Sequence, residues 1–170
     1  MSRQNAIETD IDIAAPAWET SGLDIAPITR KTAHYVIETV LADRTATVEL
    51  SIVLTDDRHI QELNRTYRGQ DKPTNVLSFP QQDDGFPCHF ADDDSPMIVL
   101  GDVIIAYETL AREATEQNKA LTDHYTHILV HGILHLCGYD HENDEDAAVM
   151  EQLEINILAE MGIANPYFVS

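Results

Sequence analysis

From residue 28 onward the hydrophobic positions alternate between a helical and a strand rhythm. Ile28, Val36, Ile37, Val40 and Leu41 mark one face of a first helix, and Thr47 to Leu54 then alternates in strand fashion with β-branched residues. A second helix follows, with Asp56 or Asp57 as its cap, Ile60, Leu63 and Tyr67 as its apolar face, and Gly69 as its stop. Asn75 to Pro80 reads as a short strand closed by proline. The run QQDDGFPCHFADDDSP is rich in Asp, Pro and Gly, and its simplest interpretation is a solvated insertion between two strands. Met97 to Leu100 and Asp102 to Ala106 continue as a strand or a strand pair around Gly101, followed by a helix from about Thr109 to Asn118.

The next helix is predicted to start near Thr122 or Asp123, whose side chains can cap it, and to run to Cys137. Tyr125, Ile128, Leu129, Ile133, Leu134 and Leu136 make it nearly apolar apart from its histidines. Such a helix belongs in the middle of a fold, so its histidine face must look into a cleft. A last helix starts after Asn143. Asp144, Glu145 and Asp146 favour its first turn through the helix dipole, Met150, Leu153, Ile157 and Leu158 form its buried face, and Gly162 ends it. Residues 1–25 mix acids with Pro16 and Gly22 and show no sustained period, so they read as an N-terminal extension or edge segment ahead of a single domain over 26–170.

Composition narrows the classes of function. A chain of 170 residues buries an adequate core without disulfides or metal staples. Cys88 and Cys137 make no disulfide framework, and no Cys-x-x-Cys pair exists to hold a structural metal, which fits a reducing compartment. No apolar run reaches the length of a signal peptide or a membrane span, so a cytoplasmic protein with no membrane partner is expected. The formal charge of −20, thirty acids against ten bases, argues against a broad electrostatic grip on a polyanion. Arg58, Arg65, Arg68 and Lys72 nevertheless fall within one short stretch. They form either a local basic strip or the ordinary solvated face of a surface helix.

The densest chemistry is HGILHLCGYDH. His131 and His135 are four apart and share one helix face, and Gly138 can take a left-handed turn that brings His141 back beside them. Three neutral imidazoles suit zinc and leave a fourth position open, which points to chemistry rather than to a closed structural site. The run follows the metzincin protease framework except that Gly132 stands where those enzymes place a general-base glutamate, so peptide hydrolysis is disfavoured. His124 and His127 extend the same stripe. His127 reads as a neighbour that orients the site or packs below it, and His124 as an exposed residue of the first turns. His34, His59 and His89 are isolated, and Cys88-His89 is too slight a pair to define a second metal site.

Three blocks of the chain resemble the YbeY family of bacterial ribosome-associated metallo-endoribonucleases: the histidine block from His131 to His141, LNRTYRGQDKPTNVLSFP from Leu63 to Pro80, and Gly101-Asp102-Val103-Ile104. The similarity covers Ile28 to Met161. It implies an α+β, zincin-like fold, in which a small mixed β-sheet packs against helices with a central metal-binding helix. It also implies a hydrolase of single-stranded RNA that acts in 3′-end maturation of small-subunit ribosomal RNA and in ribosome quality control. Its partners would be ribosomal RNA and the small ribosomal subunit, with ribosome-associated proteins beside them. Carried over residue by residue, His131, His135 and His141 are the zinc ligands and Arg68 is the functional arginine. The departures are the N-terminal extension, the acidic loop after Pro80, and Cys137 within the histidine block.

Residue chemistry agrees with these roles. A tris-histidine zinc lowers the pKa of bound water toward neutrality and polarises a phosphoryl oxygen. A guanidinium at Arg68 meets two non-bridging oxygens in a planar fork, which lysine reproduces only in part. Zinc-bound hydroxide or the RNA 2′-hydroxyl can serve as nucleophile. The proton acceptor stays unassigned: Asp140, Ser78 and Tyr139 are candidates with equally good structural roles, and Thr74 and Asn75 read as strand-entry residues that can also touch substrate. The contrasting class of function is a zinc-bound ribosome-assembly factor with weak or no hydrolysis.

Overall fold

Val48, Leu50, Ile52 and Leu54 all project from one face of β2 (Thr47–Thr55) and all are buried, as the alternation requires. A computed structural model describes residues 6–41, 47–81 and 97–167 of the chain. In it β2 is an inner strand of a four-stranded mixed sheet of order β1-β2-β4-β3. β1 (Ala6–Ile13) and β4 (Met97–Ala106) flank β2 in parallel, and β3 (Val76–Pro80) pairs antiparallel with β4. Parallel neighbours need crossovers. α1 (Ile25–Val40) supplies the first, and α2 (Asp57–Arg68) with β3 lies within the second.

The residues read as an extension or edge therefore include a strand, whose register is set by Ile7 against Val48 and Ile11 against Ile52. Gly101 does not divide two strands. β4 is continuous, with a bulge where Glu49 pairs with Val99 and Leu50 with Gly101. At φ +131° a Cβ on Gly101 would collide with the Phe79 carbonyl across the β3–β4 pair, so the bulge requires glycine.

α4 (Leu121–Leu136) lies across one face of the sheet with α1, α3 (Tyr107–Glu116) and α5 (Asp144–Glu160) around it. Leu129, Ile133 and Leu134 join Val36, Ile37, Ile52 and Val103 in the main core, each fully buried. Burial of each such side chain contributes about 1.5–3 kcal/mol. Trp18 seals one end of this layer, its indole N–H donating to the Thr55 carbonyl at 2.8 Å and its ring meeting Tyr125 at 5.4 Å. A smaller cluster of Ile60, Leu77, Ile104 and Ala106 sits under α2 on the opposite face.

Local signals set most helix ends. Asp56, not Asp57, caps α2 by accepting from the His59 amide at 2.9 Å, and Gly69 closes it at φ +68°. Asp57 instead accepts from the Thr109 amide and hydroxyl and ties α2 to α3. Asn143 caps α5 through the Asp146 amide at 2.8 Å. Three expectations need correction. α1 starts earlier, at Ile25, with Pro27 in its first turn, where a missing N–H costs nothing. α4 starts at Leu121 behind Ala120 with no side-chain cap, because packing of its apolar face holds its first turn without one. Tyr67 is 65% exposed rather than part of a buried face, its ring lying edge-on to Phe79 outside the cluster that Ile60 and Leu63 join. Cys88, His89 and most of the acidic insertion lie outside the described residues. Among the described residues, no helix is long and apolar enough to cross a membrane.

Candidate metal centre

His131 and His135 leave α4 one turn apart, with ring centroids 4.6 Å from each other and their Nε2 atoms 3.1 Å apart. Gly138, at φ +98°, ends the helix in a turn in which the Gly138 amide donates to the His135 carbonyl and the Tyr139 amide to the Leu134 carbonyl. The chain then reverses, and the His141 ring comes to 5.1 Å from His135 and 5.6 Å from His131. One nitrogen from each histidine lies within 4.8 Å of the others, so the three could hold a metal ion. The remaining ring chemistry fits that role. His131 gives its Nδ1 to Glu154 Oε1 at 2.8 Å, which leaves Nε2 with a free lone pair facing His135. Burial, reinforced by His131 and His141, pushes His135 down to about 4, so its imidazole is neutral and available near pH 7.

Glu154 is the residue that sequence inspection missed. It is fully buried on α5 between Met150 and Ile157, where an apolar side chain is expected. An acid on the apolar stripe was the available signal. Its Oε1 also lies 3.4 Å from His127 Nε2, and its Oε2 accepts from the Tyr167 hydroxyl at 2.5 Å. Burial opposes its ionisation, but the surrounding groups of His127, His131 and Tyr167 outweigh burial and hold it at about 2. A buried carboxylate on the non-coordinating nitrogen of a ligand fixes the tautomer and orientation of the ring.

The histidines line an open cleft of about 710 Å³ together with Arg68, Thr74, Asn75, Ser78 and Asp140. Arg68 comes from the last turn of α2, donates to the Ser78 carbonyl at 2.9 Å and stands over the Phe79 ring, so its guanidinium is braced at the cleft wall. Arg58, Arg65 and Lys72 do not line the cleft, so the short basic stretch contributes a single cation there. The uncommitted candidates separate. Ser78 is buried and donates to the Gly132 carbonyl at 2.9 Å, which is a packing role. Asp140 accepts from the His141 amide at 2.7 Å as a turn residue while still facing the cleft.

Gly132 proves to be more than the position of an absent base. A Cβ there would stand 2.7 Å from Val103 Cγ1 and 3.3 Å from Val76 Cγ2, so this side of α4 faces β3 and β4 at close range. His124 also needs correction: it is 3% exposed, not an exposed residue of the first turns. Its Nε2 pairs with Glu113 Oε1 at 3.0 Å, a carboxylate that also accepts from Asn75 Nδ2 at 2.9 Å.

A tris-histidine cluster on a central helix, open to a cleft with one braced arginine and carried by a mixed α+β fold, defines a candidate metallo-hydrolase class. Comparison with known proteins gives the family. The family model described as Endoribonuclease YbeY matches residues 19–162, and the chain belongs to that family. The Endoribonuclease YbeY of Paramagnetospirillum magneticum is 48% identical over 167 residues, covering 95% of this chain and 96% of its own. That of Sphingopyxis alaskensis is 54% identical over 127 residues, covering 75% and 76%. The solution structure of TM1509 from Thermotoga maritima shares the fold, with a TM-score of 0.54 at 22% identity over 92% of this chain and 91% of that one.

Proposed function

We propose that this protein is a zinc-dependent endoribonuclease that hydrolyses phosphodiester bonds of single-stranded RNA. Its proposed place is in 3′-end maturation of small-subunit ribosomal RNA and in ribosome quality control, with the small ribosomal subunit as partner and the cytoplasm as location. The family, described by its endoribonuclease activity, supports the reaction class. The observation that carries the assignment is the meeting of three imidazole nitrogens within 4.8 Å at a cleft that also presents Arg68.

Three nitrogen donors with an open position are the ligand set zinc prefers in catalytic sites, and His131, His135 and His141 would hold it. Zinc bound there supplies Lewis acidity toward a phosphoryl oxygen and toward water. Glu154 keeps the His131 ring oriented, and the low pKa of His135 keeps that ring unprotonated at neutral pH. Arg68, with one guanidinium nitrogen held by the Ser78 carbonyl, turns its others to the non-bridging oxygens, where charge accumulates in the transition state. Asp140 and Glu142 line the same cleft, and their carboxylates are the candidate proton acceptors there. Tyr67, exposed and edge-on to Phe79 at 5.3 Å beside Arg68, offers an aromatic surface to an unstacked base, which supports a single-stranded substrate.

The test pairs His135→Ala with Arg68→Ala on purified protein, measuring zinc content and cleavage of single-stranded RNA together. His135→Ala should lose both. Arg68→Ala should keep its zinc and lose about 10²–10³-fold in kcat/KM, with partial recovery in Arg68→Lys. Cleavage undiminished in both variants would sink the nuclease assignment and favour a zinc-bound assembly factor. Products ending in a 2′,3′-cyclic phosphate would identify the RNA 2′-hydroxyl as the nucleophile.

A further inference from the structure

Beyond the last residue that the family model matches, the chain returns to the metal centre. Lys119 Nζ donates to the Pro166 carbonyl at 3.1 Å and ties the segment down, and the Tyr167 amide donates to Asn165 Oδ1 at 2.8 Å in a local turn that sets the approach to Tyr167. The Tyr167 ring stands edge-on to His127 with centroids 5.5 Å apart, and its hydroxyl reaches Glu154 Oε2. Glu154 has no solvent contact, and its other oxygen carries the bond to His131 Nδ1. A buried carboxylate needs donors on both oxygens to hold one rotamer. Among the described residues, the Tyr167 hydroxyl is the donor recorded on Oε2.

We propose that Tyr167 is a positioning residue for the metal: its hydroxyl locks the Glu154 carboxylate, which orients the His131 imidazole. This rests on the assignment of the histidine cluster as a metal site. Outer groups that orient a metal's ligands are worth about 10–100-fold in affinity, and Tyr167 acts one bond further out than Glu154. Tyr167→Phe keeps the ring packed on His127 and removes only the hydroxyl, so it isolates that bond from the packing.

The experiment measures zinc affinity of the full chain by competition with a chromophoric chelator. It also records the visible spectrum of the cobalt-loaded protein and the thermal melt of the metal-free protein. Parent, Tyr167→Phe, Glu154→Gln and the double variant are compared. Tyr167→Phe should weaken zinc binding by about tenfold and shift the cobalt bands, and Glu154→Gln should weaken it further. The double variant should bind as Glu154→Gln does, because the tyrosine acts through the carboxylate. Parent affinity and an unchanged cobalt spectrum in Tyr167→Phe overturn the proposal, even with a lowered melting point, since that pattern belongs to a purely structural residue. Losses that add in the double variant overturn the route through Glu154. A parent that binds neither ion overturns this proposal and the metal assignment together, whereas normal binding by the parent and all variants overturns this one alone.

Discussion

His124 and His135 stand on one helix, about three turns apart, with His127 and His131 between them on the same side. At the amino-terminal end, His124 is buried, pairs with Glu113 and is shared with Asn75 through that carboxylate. At the carboxy-terminal end, His135 faces a cleft, and its nearest polar neighbours are two more imidazoles. Both are held below their ordinary pKa chiefly by burial, yet Glu113 opposes the shift at His124 while His131 and His141 deepen it at His135. His124 spends its Nε2 on a carboxylate and has no second imidazole at that nitrogen, whereas His135 meets other imidazoles, and His131, with Nδ1 on Glu154, keeps its Nε2 turned to the same point. The neighbours, not the residue type or the spacing, divide the stripe into a structural half and a chemical half.

The largest test of that division sets His124→Ala against His135→Ala. The second should abolish zinc binding. The first should retain it and lower the urea midpoint by an amount equivalent to about 1–3 kcal/mol, from the lost Glu113 partner and the cavity left behind. Zinc content and denaturation midpoints of both variants decide the matter, and loss of zinc from His124→Ala would erase the distinction.

Gly132→Ala probes the packing side of the same helix. The close approach to Val103 costs about 1–3 kcal/mol in overpacking, against which alanine regains about 1 kcal/mol of helix propensity. Net destabilisation on the order of 1 kcal/mol is expected with zinc retained, and a variant more stable than the parent would show that α4 and the sheet have slack.

A further test is a pH dependence. In the unfolded chain His135 titrates near its ordinary 6.5, and in the folded protein near 4. Between those values the unfolded chain holds more protons, so the contribution of His135 to the stability of the metal-free protein is complete above 6.5 and lost as pH falls through about 4. Relative to His135→Asn, the parent should lose stability steadily across that window in urea titrations. A constant difference would mean that the ring is not held neutral.

Much of the fold was legible because its signals are local. The Asp56 and Asn143 caps, the Gly69 and Gly138 stops and the alternation of Thr47 to Thr55 each act within a few residues, and each element appears where they place it. The four-stranded mixed sheet packed with helices around α4 matches the expected α+β class. Pairing was harder to read. β1 does carry a period-two signal, with Ile7, Thr9, Ile11 and Ile13 alternating with Glu8, Asp10 and Asp12 on its solvent face, but its acids and the Pro16 and Gly22 that follow masked it, and nothing local names β2 as its partner. Glu154 escaped notice because a buried acid makes sense only beside its partners, which lie on α4 and at the carboxy-terminal end.

By itself the sequence determined that two imidazoles share a helix face and that a glycine turn returns a third, since i,i+4 geometry and left-handed glycine are properties of the local chain. Only the tertiary structure decided that Glu154 and Tyr167 stand behind His131, that Arg68 alone of its basic neighbours lines the cleft, and that His124 is a packing residue. Those outcomes depend on which surfaces meet when α2, α4 and α5 pack around the sheet. A buried charge or ring nitrogen takes its role from the groups that replace water around it, and those groups come from distant parts of the chain.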